Sequence, residues 1–121
     1  MPVRILVVDD EPNILATLAP LLRSRGYEVS TAMTGRGAVE AVERENPDLM
    51  VLDLGLPDMD GWEALTRMRN DPDTHGLRVV AFTAHAMVGD EQRALAAGFD
   101  GYLSKPIDFS TFPTTVGDLL P

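Results

Sequence analysis

An α/β fold, a parallel sheet with helices packed on both faces, is what this 121-residue sequence predicts. Three observations predict it. Short apolar runs rich in Val, Ile and Leu recur without strict alternation, as strands buried on both faces do. Between them lie segments of roughly 10 to 15 residues with helical spacing or helix-stop signals. Parallel neighbours need crossovers, and those crossovers are right-handed, so the alternation places helices on both sides of one sheet.

The elements follow in chain order. Val3 to Val8 (VRILVV) reads as an internal strand. From Pro12 to Arg25 the apolar positions Ile14, Leu15, Leu18, Leu21 and Leu22 form one helical stripe, with Pro12 suited to the first turn and Gly26 to the stop. Pro20 lies about 200° round that helix from Leu18, so its lost hydrogen bond falls on the solvent side and predicts a kink rather than a break. Glu28 to Ala32 alternates and is more polar, as an edge strand is. Thr34 to Glu45 reads as a helix ended by Asn46-Pro47, Asp48 to Leu52 as an internal strand, and Gly61 to Asn70 as a helix ended by a polar loop. Arg78 to Phe82 is the next internal strand, and Met87 to Ala97 is a helix whose Gly98-Phe99 ending repeats Gly26-Tyr27. A short strand near Gly101 to Leu103 and a final helix complete the chain. Starting that helix at Ser110 rather than after Asp108 puts Pro113 in the first turn, where its missing N–H costs nothing. Gly117 weakens it.

Composition bounds the function. The length suits one domain, 1–121, without internal repeat or linker. No run is long and apolar enough to span a bilayer, no basic apolar leader is visible, and the absence of cysteine excludes a disulfide framework or thiolate metal site, so a cytoplasmic protein is expected. A net charge of −9 disfavours direct contact with nucleic acid or anionic membrane. Nine of the ten cationic side chains are arginine, and the lone lysine is Lys105.

In a parallel sheet the residues just past the strands' carboxyl ends gather along one edge, where open α/β sheets bind ligands. The first strand runs into Asp9-Asp10, the third into Asp53, the fourth into Thr83 and the fifth into Lys105. Singly, each has an ordinary reading: Asp10 or Glu11 as a helix cap, Thr83 as a β-branched strand residue, Lys105-Pro106 as a turn. Together they place three carboxylates at one edge, where each close pair repels by about 4 kcal/mol at 4 Å and an effective dielectric of 20. A cation is expected there, and an all-oxygen ligand set favours Mg²⁺, which keeps waters and leaves room for a phosphate. Lys105 supplies a compact charge and Thr83 a hydroxyl for phosphoryl oxygens. Asp53, on a central strand, is the expected nucleophile, forming an acyl phosphate, and Gly55 leaves its carbonyl accessible to a metal.

The motifs VVDDEPN (Val7 to Asn13), DLGLPDMDG (Asp53 to Gly61), FTA (Phe82 to Ala84) and YLSKP (Tyr102 to Pro106) resemble, in order and spacing, the receiver domain of bacterial response regulators. The resemblance covers essentially the whole chain. It implies a flavodoxin-like, doubly wound sheet of five parallel strands in order 2-1-3-4-5 with five helices; that order is the family's own and a standard example of the fold, not a derivation from these residues. It implies phosphorylation on Asp53, Mg²⁺ (with Mn²⁺ able to substitute) on Asp9, Asp10, Asp53 and the Gly55 carbonyl, and phosphoryl contacts from Thr83 and Lys105. Tyr102 is implied as a switching aromatic and Lys105-Pro106 as a cis peptide.

The stretch from Thr83 to Ile107 resembles receivers of phosphorelays, hybrid kinases and stand-alone regulators. A sensor histidine kinase or histidine phosphotransfer protein is then the expected donor, and the chain a phosphoacceptor rather than an enzyme. Without an effector domain in these residues, the expected output is a protein target met through the Met87–Ala97 helix, the Tyr102 strand and the C-terminal helix, or onward phosphotransfer. His85, two residues after Thr83, reads either as a tuner of acyl phosphate hydrolysis or as an exposed loop histidine. A haloacid-dehalogenase-type enzyme needs a second acid where Gly55 stands. A flavin carrier would meet repulsion from Asp9, Asp10 and Glu11. A receiver-like domain that has lost phosphorylation is the remaining rival, and the intact residue set argues against it.

Overall fold

The computed structural model describes residues 2–84 and 89–120. Strand β1 (Arg4–Val8) shows how the sheet is held. Successive side chains point to opposite faces, so Leu6 and Val8 enter one core cluster while Ile5 and Val7 enter another. Strands β3 (Leu49–Asp53) and β4 (Arg78–Thr83) divide in the same way, and their apolar residues are buried throughout. This is why neither shows an alternating sequence pattern.

The helices sort by the cluster they feed. α1 (Pro12–Arg23) contributes Leu15, Leu18 and Leu22, and α5 (Phe112–Leu119) contributes Phe112 and Val116, to the face of Ile5 and Val7. α2 (Gly35–Glu45), α3 (Gly61–Asn70) and α4 (Asp90–Ala97) supply Ala38, Ala41, Val42, Ala64, Leu65, Met68 and Ala94 to the other. With β2 (Glu28–Ala32) and β5 (Gly101–Ser104) at the edges, the sheet is fully parallel in the order β2-β1-β3-β4-β5. The expected architecture is therefore present. Among the described residues, no helix is long and apolar enough to cross a membrane.

Several boundaries differ from expectation. α1 stops at Arg23, not Arg25, because Arg25 and Gly26 turn the chain with short-range bonds to Leu22 O and Arg23 O. It runs unbroken through Pro20, which is exposed as its position on the helix required. Gly98 takes a positive φ as the C-cap of α4, the expected stop, whereas Gly26, also at positive φ, lies two residues beyond Ser24, the C-cap of α1.

The helix expected over Met87–Ala97 begins only at Asp90. Gly89 has φ of +88°, a left-handed conformation that glycine adopts freely and that interrupts a helix, so it stands as the N-cap. Met87 and His85 lie outside the described residues. α5 begins at Phe112 instead of Ser110: Asp108 O receives the N–H groups of Thr111 and Phe112, and Ser110 and Thr111 form the preceding turn. Pro113 falls in the first turn, as expected. Asp53, Thr83 and Ser104 belong to their strands rather than following them, while Val3 and Asp48 lie outside. Lys105–Pro106 is cis.

Candidate functional site

Three strands and the turn after β5 deliver polar side chains to one buried corner. Asp9, directly after β1, is 0% exposed, Asp53 at the end of β3 is 5% exposed, and Thr83 at the end of β4 is 8% exposed. Lys105 N–H donates to Thr83 O at 2.8 Å, which fixes the turn after β5 beside the end of β4. Each polar group is held there by the apolar strand behind it, so the sheet, not local propensity, sets the geometry.

Lys105 Nζ lies 2.8 Å from Asp9 Oδ2, 3.4 Å from Asp53 Oδ2 and 3.5 Å from Glu11 Oε1. The Asp9 contact is a close ion pair without the angle of a directed hydrogen bond, which leaves Asp9 Oδ2 buried and under-satisfied. Asp53 Oδ1 accepts the Gly55 N–H at 2.8 Å, and Asp9 Oδ1 accepts the Glu11 N–H at 2.8 Å. The nitrogen also sits 4.8 Å from the centre of the Phe82 ring, in cation–π range.

The charges do not balance. Asp9, Asp10 and Asp53 bring carboxylate oxygens within 4.8 Å of one another, and one ammonium opposes them. Burial, with the negative charge of Asp9, raises the Asp53 pKa above its ordinary value despite the Gly55 hydrogen bond and Lys105. Burial alone would lower the Lys105 pKa, but Asp9, Asp53 and Glu11 outweigh it and raise it. A partly buried corner with excess negative charge, an all-oxygen donor set and an under-satisfied carboxylate oxygen fits a hard divalent cation.

The residues expected at this edge are thus brought together: Asp9, Asp10, Asp53, Gly55, Thr83 and Lys105. Capping does not account for the acidic run, because neither Asp10 nor Glu11 caps α1 through its side chain. Two details depart from the sequence reading. Glu11 is a third carboxylate on Lys105, a role hidden by its place between the acidic pair and Pro12. Gly55 is not demanded by space, since a Cβ there would make ordinary contact with Asp53 Oδ1 at 3.6 Å.

Away from this corner, Tyr102 on β5 is half-buried, and its hydroxyl has no hydrogen-bond partner among the described residues. Burial, with Asp90 and Glu91, raises its pKa. It borders a groove of about 370 Å³ that Pro106, Ile107 and Phe112 also line. Trp62 on α3 meets Phe99 edge-on at 5.4 Å between ring centres, with the Arg93 guanidinium 5.5 Å from its ring.

Comparison with known proteins places this geometry in context. A family model described as the response regulator receiver domain matches residues 5–116. The polar-differentiation response regulator DivK of Brucella anthropi is 32% identical over 120 residues, covering 99% of this chain and 98% of DivK. The transcriptional regulatory protein KdpE of Mycobacterium tuberculosis is 43% identical over 108 residues, 89% of this chain but 46% of KdpE, so the chain spans less than half of that relative. Among solved structures, the chemotaxis response regulator CheY4 of Vibrio cholerae superposes with a TM-score of 0.91 at 28% identity, covering 99% of this chain and 100% of CheY4.

Proposed function

Because the chain belongs to the response regulator receiver domain family of two-component signalling, we propose that it accepts a phosphoryl group on Asp53 from a sensor histidine kinase or a histidine phosphotransfer protein. The carrying observation is the pairing of Asp53 and Lys105 at 3.4 Å beside Asp9 and Asp10, at the carboxyl ends of the strands. An Asp53 carboxylate oxygen attacks phosphorus, a P–O bond forms, and the P–N bond to the donor imidazole breaks with its electron pair returning to the ring. Lys105 holds its charge toward the phosphoryl oxygens, and the Thr83 hydroxyl donates to one of them.

Asp9, Asp10, Asp53 and the Gly55 carbonyl would hold Mg²⁺, or Mn²⁺ in its place, which supplies charge neutralisation to the phosphoryl oxygens when bound. The chain acts as a stoichiometric phosphoacceptor in the cytoplasm rather than as an enzyme. Water later attacks phosphorus, releases phosphate and regenerates the carboxylate. Output runs through α4, Tyr102 and α5 to a protein target: movement of Thr83 toward the phosphoryl group leaves space that Tyr102 fills.

Intact mass after incubation with acetyl phosphate and Mg²⁺ tests this reading. One added phosphoryl group is expected on the wild type and none on Asp53→Asn; equal labelling of both would overturn the assignment. Beryllofluoride, a phosphoryl mimic, should shift amide NMR signals from Asp53 through Thr83 to Tyr102 and Ile107. Shifts confined to the neighbours of Asp53 would remove the output face and favour onward phosphotransfer.

A further inference from the structure

The segment from Leu54 to Asp60 carries Gly55 away from the sheet, and contacts at both ends hold it. At its neck Gly61 N–H donates to Leu54 O at 3.3 Å. At its far end the Asp58 carboxylate uses both oxygens on the first turn of α2, accepting the Gly35 N–H at 2.7 Å and the Arg36 N–H at 3.1 Å. Met59 packs onto buried Gly35 so closely that a Cβ there would stand 2.5 Å from Met59 Cβ. The strand leading into α2 is tied to the same corner, since Ala32 O accepts the Asp9 N–H at 3.1 Å. The start of α2 therefore bridges the backbone of Asp9 and the loop of Gly55.

Asp58 is exposed, yet its two backbone N–H partners, Gly35 first and then Arg36, hold its pKa below the ordinary carboxylate value. These are charge-assisted bonds at the positive end of a helix. Helix capping alone does not explain them, because Thr34 already caps α2 through Oγ1, which accepts the Gly37 N–H at 2.9 Å. The Asp58 bonds add what Thr34 cannot, a link across the chain to the acceptor loop.

We propose that Asp58 is a positioning residue: by clasping the start of α2 it keeps the Gly55 loop in register with Asp9 and Asp10, so that the metal ligands are organised before the cation arrives. This rests on the reading of Asp53 as a Mg²⁺-dependent phosphoacceptor. Preorganising ligands is how residues that never touch a metal raise affinity for it.

The test is a Mg²⁺ titration of the wild type, Asp58→Ala, Asp58→Asn and Thr34→Ala, followed by amide NMR and Trp62 fluorescence, with acetyl phosphate labelling alongside. Asp58→Ala should weaken Mg²⁺ binding about tenfold, and shift the Gly35, Arg36 and Gly55 amides before metal is added. Its labelling should slow at low Mg²⁺ and recover at saturation. Asp58→Asn, which keeps an acceptor oxygen, should fall between Asp58→Ala and the wild type. Thr34→Ala should lower the melting temperature while binding Mg²⁺ within about twofold of wild type, because it leaves the link across the chain intact. Wild-type Mg²⁺ affinity in Asp58→Ala, or equal weakening in Thr34→Ala, would overturn the positioning role and leave an ordinary cap. A wild type that neither binds Mg²⁺ nor accepts the phosphoryl group would overturn the phosphoacceptor reading and this inference with it.

Discussion

Two partly buried charge clusters occupy opposite ends of the sheet, and they are built in opposite ways. At the amino ends of β4 and β5, Arg69 on α3 donates to the carbonyls of His75, Leu77 and Gly98 and to Asp100 Oδ2 at 2.9 Å. Asp100 also accepts the Val79 N–H at 2.8 Å, and Arg78 stands 3.6 Å from its other oxygen. There one carboxylate faces two guanidinium groups, and the hydrogen-bonding capacity of Arg69 is almost filled. At the carboxyl ends, Lys105 faces Asp9, Asp53 and Glu11 with Asp10 beside them, and Asp9 Oδ2 lacks a directed hydrogen bond. One cluster ties four segments together; the other holds excess negative charge, which a bound cation could neutralise.

The largest expected contrast is in the sign of a stability change. Arg69→Ala leaves Asp100 and three carbonyls short of partners and should destabilise the fold by about 3 kcal/mol, the low end for breaking a buried pair because this one is partly exposed. Asp53→Asn removes one repelling carboxylate and should stabilise the metal-free protein by about 1 kcal/mol, the gain being partly offset by the lost ion pair with Lys105, while the amide oxygen can still accept the Gly55 N–H. Urea unfolding without metal measures both, and a shift of the same sign in both would end the contrast.

The second test bears on the cation. Asp10→Asn should reduce Mg²⁺ affinity on the order of tenfold or more, since altering even an indirect partner of a metal commonly has that effect. Wild-type affinity by Trp62 fluorescence would remove Asp10 from the metal set.

A smaller effect should appear against pH. The Asp53 pKa is raised in the folded state, so its contribution favours folding fully below the unfolded value of 3.8 and is lost as pH rises through the folded value. The advantage of Asp53→Asn in metal-free buffer should therefore be largest near neutral pH and shrink on acidification toward 3.8. Asp58 shifts the other way: its contribution is present above 3.8 and lost as pH falls through its lowered folded value. Stability profiles of wild type, Asp53→Asn and Asp58→Asn separate the two, and identical pH slopes would contradict the assigned directions.

The smallest expected change comes from Gly55→Ala. A Cβ there meets only ordinary contact at 3.6 Å and φ is not positive, so stability should stay within about 0.5 kcal/mol and Asp53 labelling should persist. Abolished labelling would show that the glycine matters to the site in a way that space does not explain.

The legible parts of the molecule were those whose cause is local. Continuous apolar runs marked β1, β3 and β4 because both faces of those strands are buried, and the polar residues at their ends followed from parallel geometry. The start of α4 was missed because Gly89 looks harmless in a helical pattern until its positive φ is seen. Asp58 and the Arg69–Asp100 pair were missed because their partners lie 23 and 31 residues away and, for Asp58, are backbone N–H groups without residue identity.

By itself the sequence determined the alternation of strands and helices, the gathering of Asp9, Asp10, Asp53, Thr83 and Lys105 at one edge, and the sign of the charge there, because side-chain periodicity and strand direction suffice for these. Only the tertiary structure decided the distances within that corner, the addition of Glu11 to the Lys105 contacts, the clasp of Asp58 on α2 and the meeting of Arg69 and Arg78 at Asp100. Each depends on segments far apart in the chain meeting at hydrogen-bond distance, and a bond to a backbone N–H leaves no mark in the sequence of the residue that donates it.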